Sequence, residues 1–427
     1  MYRLINESAL DAEMINFCRL LRRRLRQPAP RGPVPVSTVV VLLALAALQP
    51  AFAASKVYVP TDDAQIVASV PASAALQGLN RMRAALARDP NNLSLGLRVA
   101  QRYIELSRSD GDPRYLGYAQ AVLKPWWTGD QPELVLLRAT IRQSMHEFDS
   151  ALSDLKQLNR TGSADAQALL TQATIEQVLG RYNDALKTCE LLRAQTPGLI
   201  SDACSADARS LVGEFDAYES LNARLSAEAK LDADTRGWLH TMLAEMLERQ
   251  ARYDEAQSHY ETSVRLAPTL YARAAYADYL LMRGRPEQAL KVVSIEQGKL
   301  PAKGAQVPDV LLLRQVLALH TLGRADLLKP ALADLRARFE ASRTRGQSLH
   351  GREEARLVLS VEADARQALT LAEQNWSIQK EAADTLILAQ AARAAGREDV
   401  LQKIRQFVAQ SGFTDLRLAV LLDGSAK

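Results

Sequence analysis

One arrangement of small, polar and aromatic positions recurs along the chain. A small residue lies within an apolar stretch, a polar turn follows, and an aromatic residue or glycine then precedes an alanine. The fullest copy runs from Gly180 to Leu186 (GRYNDAL), and Pro197 follows twelve residues after its alanine. The stretch Arg252 to Ala256 (RYDEA) repeats it, with Pro268 again twelve residues after the alanine. Each copy predicts two helices joined by a tight turn.

The spacing between copies is regular. Ala151 lies 34 residues before Ala185, and Ala289 lies 33 residues after Ala256. A second series of alanines precedes these four, each by twelve residues, and consists of Ala139, Ala173, Ala244 and Ala277. Small side chains at both positions allow two helices to approach closely. Units of 33 or 34 residues therefore repeat along the chain.

These periods resemble those of the tetratricopeptide repeat family, and the resemblance covers most of residues 73–411. It implies an all-α, right-handed superhelical solenoid of about nine antiparallel helical hairpins. We expect an N-terminal part at 73–297, a linker at 298–308 that is rich in Gly, Pro and Lys, and a degenerate C-terminal part at 309–427. A signal sequence followed by such repeats is similar to tetratricopeptide proteins of the bacterial cell envelope.

The resemblance also implies a binding surface, because first helices line the inner groove of such solenoids and bind protein or peptide segments there. The groove positions expected on this basis are Gln167, Leu170, Thr174, Gln177, Trp238, Thr241, Glu245, Glu248, Tyr271, Asp278 and Leu281. Two interpretations of the aromatic pair remain open: Trp238 and Tyr271 are either exposed anchors for a partner or core residues. Family members that clamp a terminal carboxylate use Lys and Asn, which this row lacks.

The first 53 residues have the order of a secretory signal peptide. A basic stretch through Arg26 precedes an uncharged apolar run at about 36–48, and small residues lie at Ala51 and Ala53. The run of about 13 residues is shorter than the ~20 of a membrane-spanning helix. We expect cleavage between Ala53 and Ala54, a flexible segment at 54–72, no membrane span after cleavage, and a periplasmic or secreted protein. The alternative is an uncleaved membrane anchor.

Charge and composition narrow the classes of partner. Residues 1–53 hold seven Arg and three acidic residues, which leaves 46 basic and 46 acidic residues in the remainder. This balance argues against binding of nucleic acid, which favours a basic face or stripe. Aromatic residues are only 5% of the chain, which favours helices over sheets. A protein partner, with association to envelope complexes, is the expectation that remains.

No pattern of residues points to catalysis or to a cofactor. The five histidines do not have the spacing of a metal motif, and neither a phosphate-binding glycine loop nor a nucleophile elbow is present. We therefore predict a scaffold or adaptor without enzymatic activity. An enzyme, or an accessory subunit of one, remains the alternative, because distant residues can assemble a site without a local motif.

Two cysteines remain after the expected cleavage. Cys189 falls in the second helix of one unit and Cys204 in the first helix of the next, and such helices are neighbours in a stacked solenoid. An exported protein matures in an oxidising compartment. We expect these cysteines to form a disulfide, and two buried thiols are the alternative.

Overall fold

The computed structural model describes residues 74–294, 307–344 and 351–423, and helices make up most of them, with no strand in these ranges. The predicted signal peptide (1–53), the flexible segment (54–72) and most of the predicted linker (298–306) lie outside the described residues. The helices of the first half are α1 (Ala74–Arg88), α2 (Leu93–Asp110), α3 (Arg114–Leu123), α4 (Pro132–Ser144), α5 (Phe148–Arg160), α6 (Ala166–Val178), α7 (Tyr182–Gln195), α8 (Leu199–Leu211), α9 (Asp216–Ala227) and α10 (Ala233–Arg249).

The second half continues the same architecture. Its helices are α11 (Tyr253–Leu266), α12 (Leu270–Met282), α13 (Pro286–Val293), α14 (Asp309–Thr321), α15 (Ala325–Thr344), α16 (Gly351–Leu357), α17 (Ala365–Ile378), α18 (Ala382–Ala394), α19 (Glu398–Ser411) and α20 (Leu416–Asp423). A 3₁₀ turn at Lys124–Trp126 follows α3, and a π-helical turn at Val358–Glu362 follows α16. Consecutive helices from α2 to α19 pair into nine hairpins within the described ranges, as the repeat spacing predicted.

Capping side chains and turn glycines explain where several of the helices begin and end. Asp165, Asp232 and Thr269 precede α6, α10 and α12, and each side chain accepts a hydrogen bond from a backbone N–H of the first turn. Gly180 ends the turn between α6 and α7 with φ of 71°, and Gly284 does the same between α12 and α13 with φ of 68°. Glycine adopts this left-handed conformation without the steric cost that other residues meet.

The alanines that define the repeat are buried where neighbouring helices meet. None of the eight has more than 1% of its surface exposed: Ala139, Ala151, Ala173, Ala185, Ala244, Ala256, Ala277 and Ala289. The largest apolar core runs from Leu199 to Leu357, so it includes residues on both sides of the predicted linker. In the described ranges no helix is both long and apolar enough to cross a membrane.

The last five helices fold back onto earlier repeats. We call residues 351–423, which comprise α16 to α20, the C-terminal hairpins. The backbone N–H of Lys380 donates to the Val178 carbonyl at 2.6 Å, and that of Thr414 donates to the Leu211 carbonyl at 2.9 Å. The ring of Phe413 stacks on Tyr182 with 5.7 Å between centroids. The C-terminal hairpins therefore pack against repeats that lie about 200 residues earlier in the chain.

Candidate functional site

The first-helix positions of α6, α10 and α12 face the C-terminal hairpins, and we call this side of the solenoid the inner face. On α6, Gln167, Leu170 and Gln177 are half-buried and Thr174 is exposed. Thr174, Arg352 and Glu381 are among the residues that line a cavity of about 350 Å³ between α6 and the C-terminal hairpins. Of the four positions expected on α6, Thr174 is therefore the most open to a partner.

Two of the expected positions on α10 are buried. Thr241 has 0% of its surface exposed, and its hydroxyl lies 2.6 Å from the Ser263 hydroxyl of α11. Glu248 accepts a hydrogen bond from the Tyr260 hydroxyl at 3.0 Å and forms an ion pair with Arg417. These contacts correct the expected row, because Thr241 and Glu248 bind the chain itself and present no surface to a partner.

Trp238 and Tyr271 lie in different surroundings. Trp238 is half-buried and packs against the largest apolar core. Tyr271, at the start of α12, keeps 54% of its surface exposed, and its hydroxyl donates to Glu245 Oε1 at 2.5 Å. The two aromatic residues therefore differ: the structure favours a core role for Trp238 and an accessible position for Tyr271.

The other two positions expected on α12, Leu281 and Asp278, both contact other parts of the chain. Leu281 packs against the largest core and is half-buried. Asp278 forms ion pairs at 2.6 Å with Arg314 of α14 and with Arg356 of α16. Burial disfavours the charged form of Asp278, yet the two guanidinium groups together lower the pKa of its carboxyl below the usual value. Asp278 therefore fastens the C-terminal hairpins to the inner face.

Two glutamates of the inner face have raised pKa values. Burial is the main cause that raises the pKa of Glu245 to about 7; the Tyr271 hydrogen bond opposes this change and the charge of Asp207 adds to it. Burial likewise raises the pKa of Glu248, and Arg417 opposes that change. Because Tyr260 and Arg417 already bind Glu248, the two glutamates do not form the pair of available carboxyl groups that acid–base catalysis uses.

Two histidines in neighbouring helices form a pair away from the inner-face carboxylates. The Nδ1 atoms of His240 and His259 lie 2.8 Å apart, and the Tyr218 hydroxyl lies 3.1 Å from Nε2 of His259. Burial, together with the neighbouring His259, lowers the pKa of His240 to about 4. Across the described ranges, no group of three His, Cys, Asp or Glu side chains is arranged to hold a metal ion.

The predicted cysteine pair is a disulfide in the structure. Cys189 of α7 and Cys204 of α8 are joined, with 5.5 Å between their Cα atoms. Both are buried among alanines and leucines of these two helices and α6. The bond fixes one repeat to the next.

Sequence reasoning missed the contribution of the C-terminal hairpins to the inner face. Arg352, Arg356, Glu381 and Arg417 reach this face from residues that were assigned to a degenerate part. No repeat spacing in the sequence relates these four residues to α10 or α12. The local signal is the amphipathic pattern of helices such as α19, which indicates that one side is buried but does not identify the helices that cover it.

Comparisons with known proteins find similarity to solved structures alone. Neither a family model nor a curated protein matches the sequence. Solved structures do match: a tetratricopeptide repeat protein from Parabacteroides merdae at 13% identity covers 75% of this chain and 99% of its own length, with a TM-score of 0.35. The human IFIT1 dimer with PPP-AAAA matches at 14% identity over 81% of this chain and 78% of its own, with a TM-score of 0.43.

A third match is the Cut9-Hcn1 hetero-tetramer of APC/C, at 13% identity over 82% of this chain and 84% of that one, with a TM-score of 0.37. These likenesses concern the fold alone. The repeat spacing and the nine hairpins of the described residues carry the assignment. The described residues form an all-α solenoid of helical hairpins, with a repeat spacing like that of tetratricopeptide proteins.

Proposed function

We propose that this protein is an exported, non-catalytic scaffold that binds a protein partner through the open part of its inner face. The observation that carries the proposal is a pair of exposed side chains near the two ends of α12, on either side of the covered Asp278. Tyr271 is 54% exposed and Met282 is 45% exposed. Eleven residues are three helical turns, so both side chains lie on one side of the helix, about 16 Å apart. Two large side chains at this distance suit anchoring of a polypeptide segment.

The C-terminal hairpins define which part of the inner face is open. They cover Glu248 and Asp278 through Arg417 and Arg356. Tyr271, Met282 and Thr174 remain exposed beside them. A partner is therefore expected to contact the C-terminal hairpins as well as the first helices, and the binding surface is shorter than a groove that runs the whole length of a solenoid.

Export is supported by the order of residues 14–54 and by the cysteine pair. The basic, apolar and small-residue segments follow each other as in a secretory signal peptide. The pairing of Cys189 with Cys204 suits an oxidising compartment. Intact-mass measurement of alkylated, non-reduced protein from the envelope fraction is expected to give a chain that begins at Ala54 and carries no label. A full-length chain in the cytosol with Cys189 and Cys204 labelled contradicts the proposal.

Partner binding is tested by capture from envelope extracts. Tyr271→Ala removes the exposed ring, and Tyr118→Ala is a matched control because Tyr118 has a similar exposure of 52% on α3. Interface anchors typically cost about 2 kcal/mol or more when truncated to alanine, which is roughly a thirtyfold loss of affinity. We expect the Tyr271→Ala variant to capture much less of a partner protein than wild type and the Tyr118→Ala variant capture. Equal capture by all three proteins contradicts the assignment of the surface.

A further inference from the structure

The charges of the inner face are paired, with one exception. Glu245 contacts the neutral hydroxyl of Tyr271 at 2.5 Å. Of the inner-face carboxylates that the structure describes, it alone has no cationic side chain within 4.0 Å. The others are paired, Asp207 with Arg249, Glu248 with Arg417, Asp278 with Arg314 and Arg356, and Glu381 with Arg352.

The ring beside this carboxylate is both accessible and surrounded by negative charge. Tyr271 is 54% exposed, although its hydroxyl end lies against Glu245 within the concave side. Burial raises the pKa of the Tyr271 hydroxyl, and Glu245, Glu381 and Asp207 raise it further. These carboxylates come from α10, the start of α18 and α8. An electron-rich ring next to an unneutralised carboxylate attracts a cation through both groups.

We propose that Glu245 and Tyr271 together bind an Arg or Lys side chain of the partner protein. The inference rests on the proposed scaffold function and specifies the chemistry of its partner as a basic segment. A guanidinium group suits the site best, because its plane stacks on a tyrosine ring while its N–H groups donate to a carboxylate. The partner's cation then completes the charge pairing that the rest of the inner face already has.

Proton binding at Glu245 gives the site a characteristic pH dependence. The groups that face its carboxyl are Tyr271 from α12, Asp207 from α8, and Arg249 and Glu248 from its own helix. With a pKa of about 7, the carboxyl is largely ionised at pH 8 and largely protonated at pH 6. A bound cation favours the ionised form, so affinity is expected to fall up to about tenfold between pH 8 and pH 6.

Titration of the purified protein with labelled peptides tests the inference. The probes are an arginine–glycine repeat peptide, a lysine–glycine repeat peptide and a glutamate–glycine repeat peptide of equal length, followed by fluorescence anisotropy. We expect the basic peptides to bind, and Glu245→Gln and Tyr271→Ala to weaken binding at least tenfold. Tyr271→Phe keeps the ring and retains most of the affinity, and Tyr118→Ala serves as the unaffected control. Glu245→Gln also abolishes the difference between pH 8 and pH 6.

Several results overturn the inference. Equal binding of the basic and acidic peptides does so, as does unchanged affinity in Glu245→Gln. Circular dichroism of each variant separates loss of binding from loss of folding.

Failure of this inference is distinguishable from failure of the scaffold function. If wild type captures a partner from envelope extracts and Glu245→Gln captures it equally well, the scaffold function is supported and the cation site is contradicted. If wild type captures no partner, the scaffold function itself fails.

Discussion

Single residues of the same helical position differ in role because their neighbours differ. Trp238 and Tyr271 both lie six residues before a repeat alanine, yet Trp238 packs against the largest core while Tyr271 is 54% exposed. Thr241 is paired with Ser263 inside a hairpin, whereas Thr174 is exposed beside the C-terminal hairpins. The sequence period identifies the helix face, but burial depends on what lies opposite.

Trp238 and Tyr271 are therefore expected to separate stability from binding. Trp238→Ala removes apolar contacts with the core and is expected to lower the free energy of unfolding by about 2–3 kcal/mol, less than a fully buried tryptophan costs. Tyr271→Ala loses one hydrogen bond and little burial, so its expected cost is about 1 kcal/mol. Urea denaturation followed by circular dichroism measures both. Equal destabilisation by the two substitutions contradicts the assigned roles.

The histidine pair predicts a pH dependence of stability. The folded-state pKa of His240 is about 4, below its ordinary value of 6.5, so the unfolded chain binds a proton there that the folded chain does not. The contribution of His240 to the free energy of unfolding is therefore constant above about pH 6.5 and falls as the pH drops toward 4. Urea denaturation at a series of pH values measures this fall, and His240→Gln is expected to reduce it. An identical pH profile in the variant contradicts the assignment.

At the scale of helices, local sequence explains the hairpins and leaves their long-range packing unexplained. Gly180 and Gly284 end equivalent turns with φ of 71° and 68°. A Cβ atom on Gly180 meets the Phe407 ring of α19 at 2.7 Å, whereas one on Gly284 meets nothing within 4 Å. The two turns have the same backbone requirement, but only the first lies against the C-terminal hairpins.

This difference gives a matched test of how the C-terminal hairpins dock. Alanine at either glycine is strained by the left-handed backbone, at a cost of about 1–2 kcal/mol. Gly180→Ala must in addition displace Phe407, so its free energy of unfolding is expected to fall by a further 1–3 kcal/mol, roughly the cost of overpacking. Chemical denaturation of the two variants gives the comparison. Equal losses in both mean that α19 does not pack on the α6–α7 turn.

Much of the fold was predictable because repeats are local. The alanines twelve residues apart and the turn glycines specify each hairpin from within about 34 residues of sequence. The docking of the C-terminal hairpins depends on pairs such as Tyr182 and Lys380, which are 198 residues apart. No period connects such residues. The open groove expected from the sequence is therefore shortened by contacts that only the folded chain reveals.

As a whole, the described molecule is a solenoid whose inner face is divided between the chain itself and a remaining open surface. Its N-terminal repeats also approach later ones, since a Cβ atom on Gly111 would lie 2.9 Å from Leu270 and 3.1 Å from Pro308. Ion pairs hold the C-terminal hairpins against α10 and α12, and apolar packing holds them against Tyr182 of α7 and Leu211 of α8. The exposed side chains of Tyr271 and Met282 remain for a partner.

Site-specific photocrosslinking in the producing cell tests this account most directly. A photoreactive phenylalanine analogue replaces Tyr271 on the inner face or Tyr118 on α3, two positions with 54% and 52% exposure. If the open part of the inner face binds a protein, irradiation is expected to yield a discrete crosslinked species from position 271 and none of that size from position 118. Absence of a crosslink at 271, or the same product from both positions, contradicts the account.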